Sequence, residues 1–115
     1  MPVHFVLKRY LPGFEEYGDL YEAIKTGRKT SEYRDATPYW AKRLLNEKGL
    51  IRHHYNSIVG CFHWTFPPWH LKHTEATFRV GYTKGPTLHA TILNVTWHVR
   101  EKQFEVRIAN VTETQ

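Results

Sequence analysis

Charged side chains of both signs crowd the stretch Gly27-Arg28-Lys29-Thr30-Ser31-Glu32-Tyr33-Arg34. Lys29 offers a cation to a phosphate or a polarised carbonyl. Arg34 offers a planar fork that suits phosphate, carboxylate or the edge of a base. Glu32 can accept from the amino group of a base, or act as a general base where its pKa is raised. The alternative is a plain surface ion pair between Glu32 and Arg34, two apart on a strand, which contributes little. Thr30 and Ser31 adjoin Lys29, whose charge would lower the cost of deprotonating a hydroxyl. Adjacent strand residues point opposite ways, so only one of those hydroxyls can share the charged face.

Two further sets of residues could carry chemistry. Gly81-Tyr82-Thr83-Lys84-Gly85 is a glycine-bounded loop with a lysine near its tip. Such a loop can approach a phosphate through backbone N–H groups; the alternative is a plain hairpin connection with Lys84 in water. It is not a Walker motif, because the spacing and the following helix are missing. Cys61-x-His63 and His70-x-x-His73 supply four potential zinc ligands, but their spacing matches no structural zinc pattern. Packed or solvated histidines are the simpler account, so no metal and no cofactor is expected. Trp64, Phe66 and Trp69 either form part of a stacking wall or simply pack.

The elements that must position the charged stretch follow from periodicity. Val3 to Lys8 reads as a first strand, closed by Pro12-Gly13. Phe14, Tyr17, Tyr21 and Ile24 recur at helical spacing, and Gly27 suits the position just past that helix. Lys29 to Arg34 fits a short strand. Thr30, Glu32 and Arg34 then face one side, and Ser31 and Tyr33 the other, with Tyr33 expected in the core. Lys29 has the wrong parity, but its long stem can curl back to Glu32. Thr37-Pro38 predicts a second helix start, with Trp40, Leu44 and Leu45 inward and Gly49 as its stop. The segment from Gly49 to Ile58, with Arg52-His53-His54, is ambiguous. Ile58–Phe66, Ala76–Tyr82, Thr87–Val99 and Gln103–Val111 read as strands. The apolar parity changes within the third of these, which predicts a bulge near Asn94.

At 115 residues the chain is expected to form a single domain, 1–115. Sixteen Lys and Arg against 11 Asp and Glu give a formal charge of +5, which favours an anionic partner such as RNA or a nucleotide; the alternative is a small protein that is simply basic. An aromatic fraction of 15% leaves rings to spare for stacking on a ligand. One cysteine excludes an internal disulfide and fits a reducing compartment. The N-terminus lacks the pattern of a signal peptide, and no apolar run is long enough to cross a membrane. A cytoplasmic protein with no membrane partner is expected. Oligomeric state is open.

Gly27-x-Lys29-x-x-Glu32-x-Arg34 after a helix resembles the signature of the ASCH domain, a branch of the PUA-like superfamily. The match extends more loosely over Thr37-Pro38-Tyr39-Trp40 and Arg79 to Gly85. The resemblance implies an α+β fold, a small PUA-like β-barrel with two N-terminal helices packed on it. It implies a cleft lined by Lys29, Glu32 and Arg34, with Gly27 setting the turn, and a role in RNA binding, processing or metabolism. Together with Lys84, these are the expected ligand-binding residues for RNA, a nucleotide or a nucleoside. Some family members are enzymes, which opens a hydrolase reading, nuclease or amidohydrolase-like, with Lys29 and Glu32 as the proton handlers. The threonine nucleophile of the amidohydrolase branch falls where this chain has Glu32, a departure from that pattern.

Overall fold

The computed structural model describes residues 2–60, 63–81 and 84–115. Among these, six strands form one sheet: β1 (Val3–Leu7), β2 (Ser31–Asp35), β3 (His63–Phe66), β4 (Glu75–Val80), β5 (Thr87–His98) and β6 (Gln103–Thr114). Three helices accompany it: α1 (Leu20–Lys25), α2 (Pro38–Leu44) and α3 (Glu47–Val59). Single 3-10 turns cover Glu15–Tyr17 and Pro68–His70. The chain is α+β, with the sheet curled into a half-barrel. No helix among the described residues is long and apolar enough to cross a membrane.

The strand order is β1-β4-β5-β6-β2, with β1 and β4 parallel and the other pairs antiparallel. β5 carries the curl. Its first half pairs with β4 through Leu88 and Ala90, and its second half with β3 through Val95 and Trp97. β6 runs along its other side, and the register slips between His89 and Thr91 and again between Ile92 and Asn94. Such bulges bend a strand and increase its local twist. The second slip is the one anticipated near Asn94. Phe5, Phe66, Phe78 and Phe104 are fully buried inside the curl with Leu44, Leu45, Leu88, Val95 and Val106.

The helices depart from the sequence reading in number and limits. The first helical pattern splits at Gly18 (φ +63), and α1 restarts at Asp19, whose carboxylate accepts from the N–H groups of Tyr21 and Glu22 at 2.9 and 3.2 Å. α2 begins as expected, with Thr37 capping the N–H of Trp40 and Pro38 in the first turn. It ends at Leu44 rather than Gly49. Asn46 opens α3 by accepting from Gly49 N–H at 2.9 Å, and its Nδ2 donates to Trp69 O at 2.7 Å. Gly49, expected as a stop, therefore lies inside a helix, and the segment to Val59 is helical rather than the start of a strand. α3 closes at Gly60, which takes the left-handed conformation (φ +76).

Close packing explains Gly49. A Cβ there would lie 2.3 Å from the carbonyl oxygen of His70. That carbonyl accepts from Asn46 N–H at 3.0 Å, and Lys72 N–H donates to Leu44 O at 3.0 Å, so neither backbone can yield cheaply. Glycine to alanine within a helix ordinarily stabilises by about 1 kcal/mol. Gly49→Ala is expected to do the reverse and destabilise by ~1–3 kcal/mol through overpacking, measured as a lower midpoint in urea.

His53 lies on the inner face of α3 against Trp97, Phe104 and Phe66, at ring-centroid distances of 4.3, 5.5 and 6.2 Å. Burial pushes its pKa below the ordinary imidazole value, and His54 adds to this. Burial lowers His73 as well. A group with a depressed folded pKa stabilises fully above its unfolded pKa, here about 6.5, and that stability is lost as pH falls below it. Thermal stability should therefore drop between pH 7.5 and 5.5, and His53→Leu should flatten the slope. An unchanged slope in the variant would exclude His53 as its source.

Candidate functional site

α1 and β2 meet at a tight reversal. Gly27 takes φ +80, its N–H bonds Ile24 O at 3.2 Å, and Lys29 N–H returns to Ala23 O at 2.9 Å. β2 then pairs with β6, with Glu32 opposite Val106 and Arg34 opposite Phe104. Both partners are core residues, so Glu32 and Arg34 face the interior. The expected parity is found. Tyr33, however, is half-buried on the opposite face rather than in the core, beside Glu105, its cross-strand partner.

The three signature side chains converge on one atom. Oε1 of Glu32 accepts from Lys29 Nζ at 3.3 Å and from the Tyr33 N–H at 3.0 Å, and forms an ion pair with Arg34 Nη1 at 3.2 Å. None of these contacts falls on Oε2. Lys29 and Glu32 are only 4% and 6% exposed. Lys29 reaches Glu32 because its stem curls back, and its Nζ also donates to the backbone carbonyl of Ser31. Arg34 spans further: Nη1 donates to Tyr33 O at 2.8 Å and Nη2 to Val6 O at 3.1 Å. Val6 belongs to β1, the opposite edge of the sheet, so Arg34 laces the seam that the curl leaves open.

Rings frame the guanidinium. Its Cζ lies 5.1 Å from the Phe5 centroid and 5.3 Å from that of Trp40, and those two rings stack at 5.4 Å. Trp40 is half-buried, whereas Tyr39 and Arg43 beside it on α2 are exposed, with Arg43 Cζ 3.3 Å from the Tyr39 centroid. Gly27 and Lys29 also line a depression of about 240 Å³ with Ile108 to Val111, but Glu32 and Arg34 do not. Lys84 is exposed in the connection from β4 to β5, and no hydrogen bond or ion pair joins it to the cluster among the described residues. Tyr82 and Thr83 of that loop lie outside the described residues.

The other candidates are dispersed. Cys61 lies outside the described residues. His63 stands opposite His98 on β5, while His70 ends a 3-10 turn, and no group of three or more possible metal ligands occurs among the described residues. Ser31 directs its hydroxyl away from Lys29, donating to Glu105 Oε2 at 2.6 Å. Glu105 Oε1 meets His98 Nε2 at 2.8 Å. Burial presses the Glu105 pKa upward, but hydrogen bonds from Ser31 and His98, with the charges of His98 and Arg107, outweigh it and hold it below the usual carboxylate range. Burial and then the charge of Glu105 raise the Tyr33 pKa. This second cluster is invisible in the sequence, since strand pairing alone brings Ser31, Tyr33, Glu105 and His98 together.

Comparison of the chain with family models, with curated proteins and with solved structures finds no match.

A buried ion cluster is far more sensitive to the loss of one member than to its presence. Glu32→Ala strands two cations, and should destabilise by about 3–5 kcal/mol in chemical denaturation. Ser31→Ala, on the other face, should cost only ~1 kcal/mol.

Proposed function

We propose that the chain is an ASCH-like, PUA-like module that binds RNA or a nucleotide at the seam between β2 and β1. The observation that carries this reading is the convergence of Lys29 and Arg34 on a single oxygen of Glu32, beside the Phe5 and Trp40 rings. As a device for stability such a cluster is a poor choice, because well-packed apolar residues of similar volume are often as good or better. As a device for recognition it is apt. Glu32 Oε2 is left to accept from the amino group of a base. The hydrogen bonds of Arg34 occupy two of the five N–H groups of a guanidinium, and others can meet a phosphate. Tyr39 and Arg43, exposed on the neighbouring helix, add a stacking surface and a cation. The signature spacing and its place between α1 and β2 support the same reading, as does the formal charge of +5. Binding is favoured over hydrolysis because no side-chain hydroxyl joins the cluster among the described residues, Ser31 being held on Glu105.

Titration of fluorescein-labelled single-stranded and hairpin RNA, and of nucleoside monophosphates, at two salt concentrations tests the reading. Arg34→Lys keeps the charge but loses the fork. It should weaken binding by about tenfold or more, the loss of a charge-assisted hydrogen bond of ~1.5–3 kcal/mol. Lys29→Ala/Arg34→Ala, once shown to be folded by circular dichroism, should abolish it. Affinity undiminished in both folded variants would rule out the seam as the binding site. Turnover of the RNA that disappears in Glu32→Gln would replace a binding module with a hydrolase.

A further inference from the structure

Helix α3 is amphipathic in the wrong sense for its surroundings. Its inner face presents Gly49, His53 and Asn56 to the core, with Leu50 its one partly buried aliphatic residue packed there, and Asn56 is 2% exposed with no partner for its Nδ2 among the described residues. Its outer face presents Ile51, Tyr55 and Ile58, spaced i, i+4 and i+7, which are 64%, 54% and 71% exposed. A surface helix normally buries its apolar stripe and turns its polar residues to water. Trp69, 70% exposed, stands nearby on the turn that α3 holds through Asn46 and Gly49. Large apolar side chains exposed together on one helix face point to an interaction site.

The shape and charge of the face identify what it takes. A groove of about 560 Å³ runs beside α3, lined by Lys48, Ile51, Arg52, Tyr55 and His70. Lys48 and Arg52 line this open depression next to the apolar side chains of Ile51 and Tyr55. Residues 38–59 hold Lys42, Arg43, Lys48 and Arg52 against Glu47, a net +3 of the chain's +5. RNA gains nothing from Ile51 and Ile58. A second copy of this chain would bring the same basic groove against itself. A bilayer is met best by apolar side chains that project beyond their cations, whereas here Lys48 and Arg52 line the same depression as Ile51 and Tyr55. We propose that the α3 groove docks an acidic segment of a partner protein, whose apolar side chains cover Ile51, Tyr55 and Ile58 while its carboxylates meet Lys48 and Arg52.

The proposal concerns a surface separate from the Lys29–Glu32–Arg34 seam and stands without it. Selection of phage-displayed random dodecapeptides on the intact protein tests it. Enriched peptides should combine Asp or Glu with spaced aromatic or aliphatic residues. Synthetic copies should bind at least tenfold more weakly to Ile51→Asp and to Lys48→Glu. Both positions are exposed, so both variants should melt as the parent does; Ile58→Asp serves if either does not. Failure of any sequence to enrich, peptides without carboxylates, or equal affinity in the variants would overturn the proposal. Two other results would overturn it in favour of another occupant. One is sedimentation with phosphatidylcholine–phosphatidylserine vesicles that Ile51→Asp abolishes. The other is a dimer in analytical ultracentrifugation that Ile51→Asp dissolves.

Discussion

One carboxylate oxygen holding two cations is the constraint on which the arrangement of this molecule turns. Glu32 is 6% exposed, and a carboxylate at that depth is costly to leave without partners. Lys29, Arg34 and the Tyr33 N–H together supply them. Each donor depends on a different part of the chain. Lys29 arrives only because the chain turns back on α1 at Gly27. Arg34 is aimed by the pairing of β2 with β6 and anchored by Val6 on the far edge. The half-barrel must therefore curl far enough to bring β1 within 3.1 Å of a side chain on β2. The two register slips between β5 and β6 supply bend at the centre of the sheet, where β3 and β4 share one flank of β5.

A second constraint acts at the other end of the core. The 3-10 turn at Pro68–His70 is bound to the junction of α2 and α3 by Asn46 and by backbone bonds of Asn46 and Lys72. That contact is so close that position 49 admits no Cβ. It fixes the rotation of α3 about its own axis, putting Gly49, His53 and Asn56 inward and leaving the isoleucines outside. The backbone contact, rather than side-chain burial, thus decides which face of α3 meets the core. Helix formation here rests on its caps, Asn46 at one end and left-handed Gly60 at the other, more than on an apolar stripe.

That conflict explains what could be read from the sequence and what could not. Where local pattern and tertiary role agree, the reading holds: β1, the Thr37-Pro38 start of α2, the alternation through Glu32 and Arg34, and the parity change near Asn94. Where they disagree, it fails. Residues 49–58 carry a helical repeat of isoleucine and tyrosine, yet a glycine at the start and a pair of histidines obscure it. Gly49 looks like a stop, because glycine more often ends helices than packs under a carbonyl. The convergence of Lys29, Glu32 and Arg34 was legible because all three lie within six residues. The Val6 carbonyl, the Phe5 ring and the Ser31–Glu105–His98 set were not, since their partners are 7 to 74 positions away and are chosen by register.

The distribution of charge separates two kinds of work that net charge alone would merge. The seam cluster contributes two cations and one anion, +1 in all, largely screened from solvent by burial and by one another. Its effect is short-ranged. The net +3 of residues 38–59 is exposed, and its field reaches about a Debye length, roughly 8 Å at physiological ionic strength. α2 carries Arg43 and Tyr39 next to Trp40 of the seam, while α3 carries Lys48 and Arg52 in its own groove. The exposed cations of both helices thus lie beside the two surfaces proposed as sites. On the proposed readings of the two sites, salt should therefore act mainly through α2 and α3, whereas discrimination would be left to geometry: a forked donor and a carboxylate oxygen at the seam, apolar spacing at the groove.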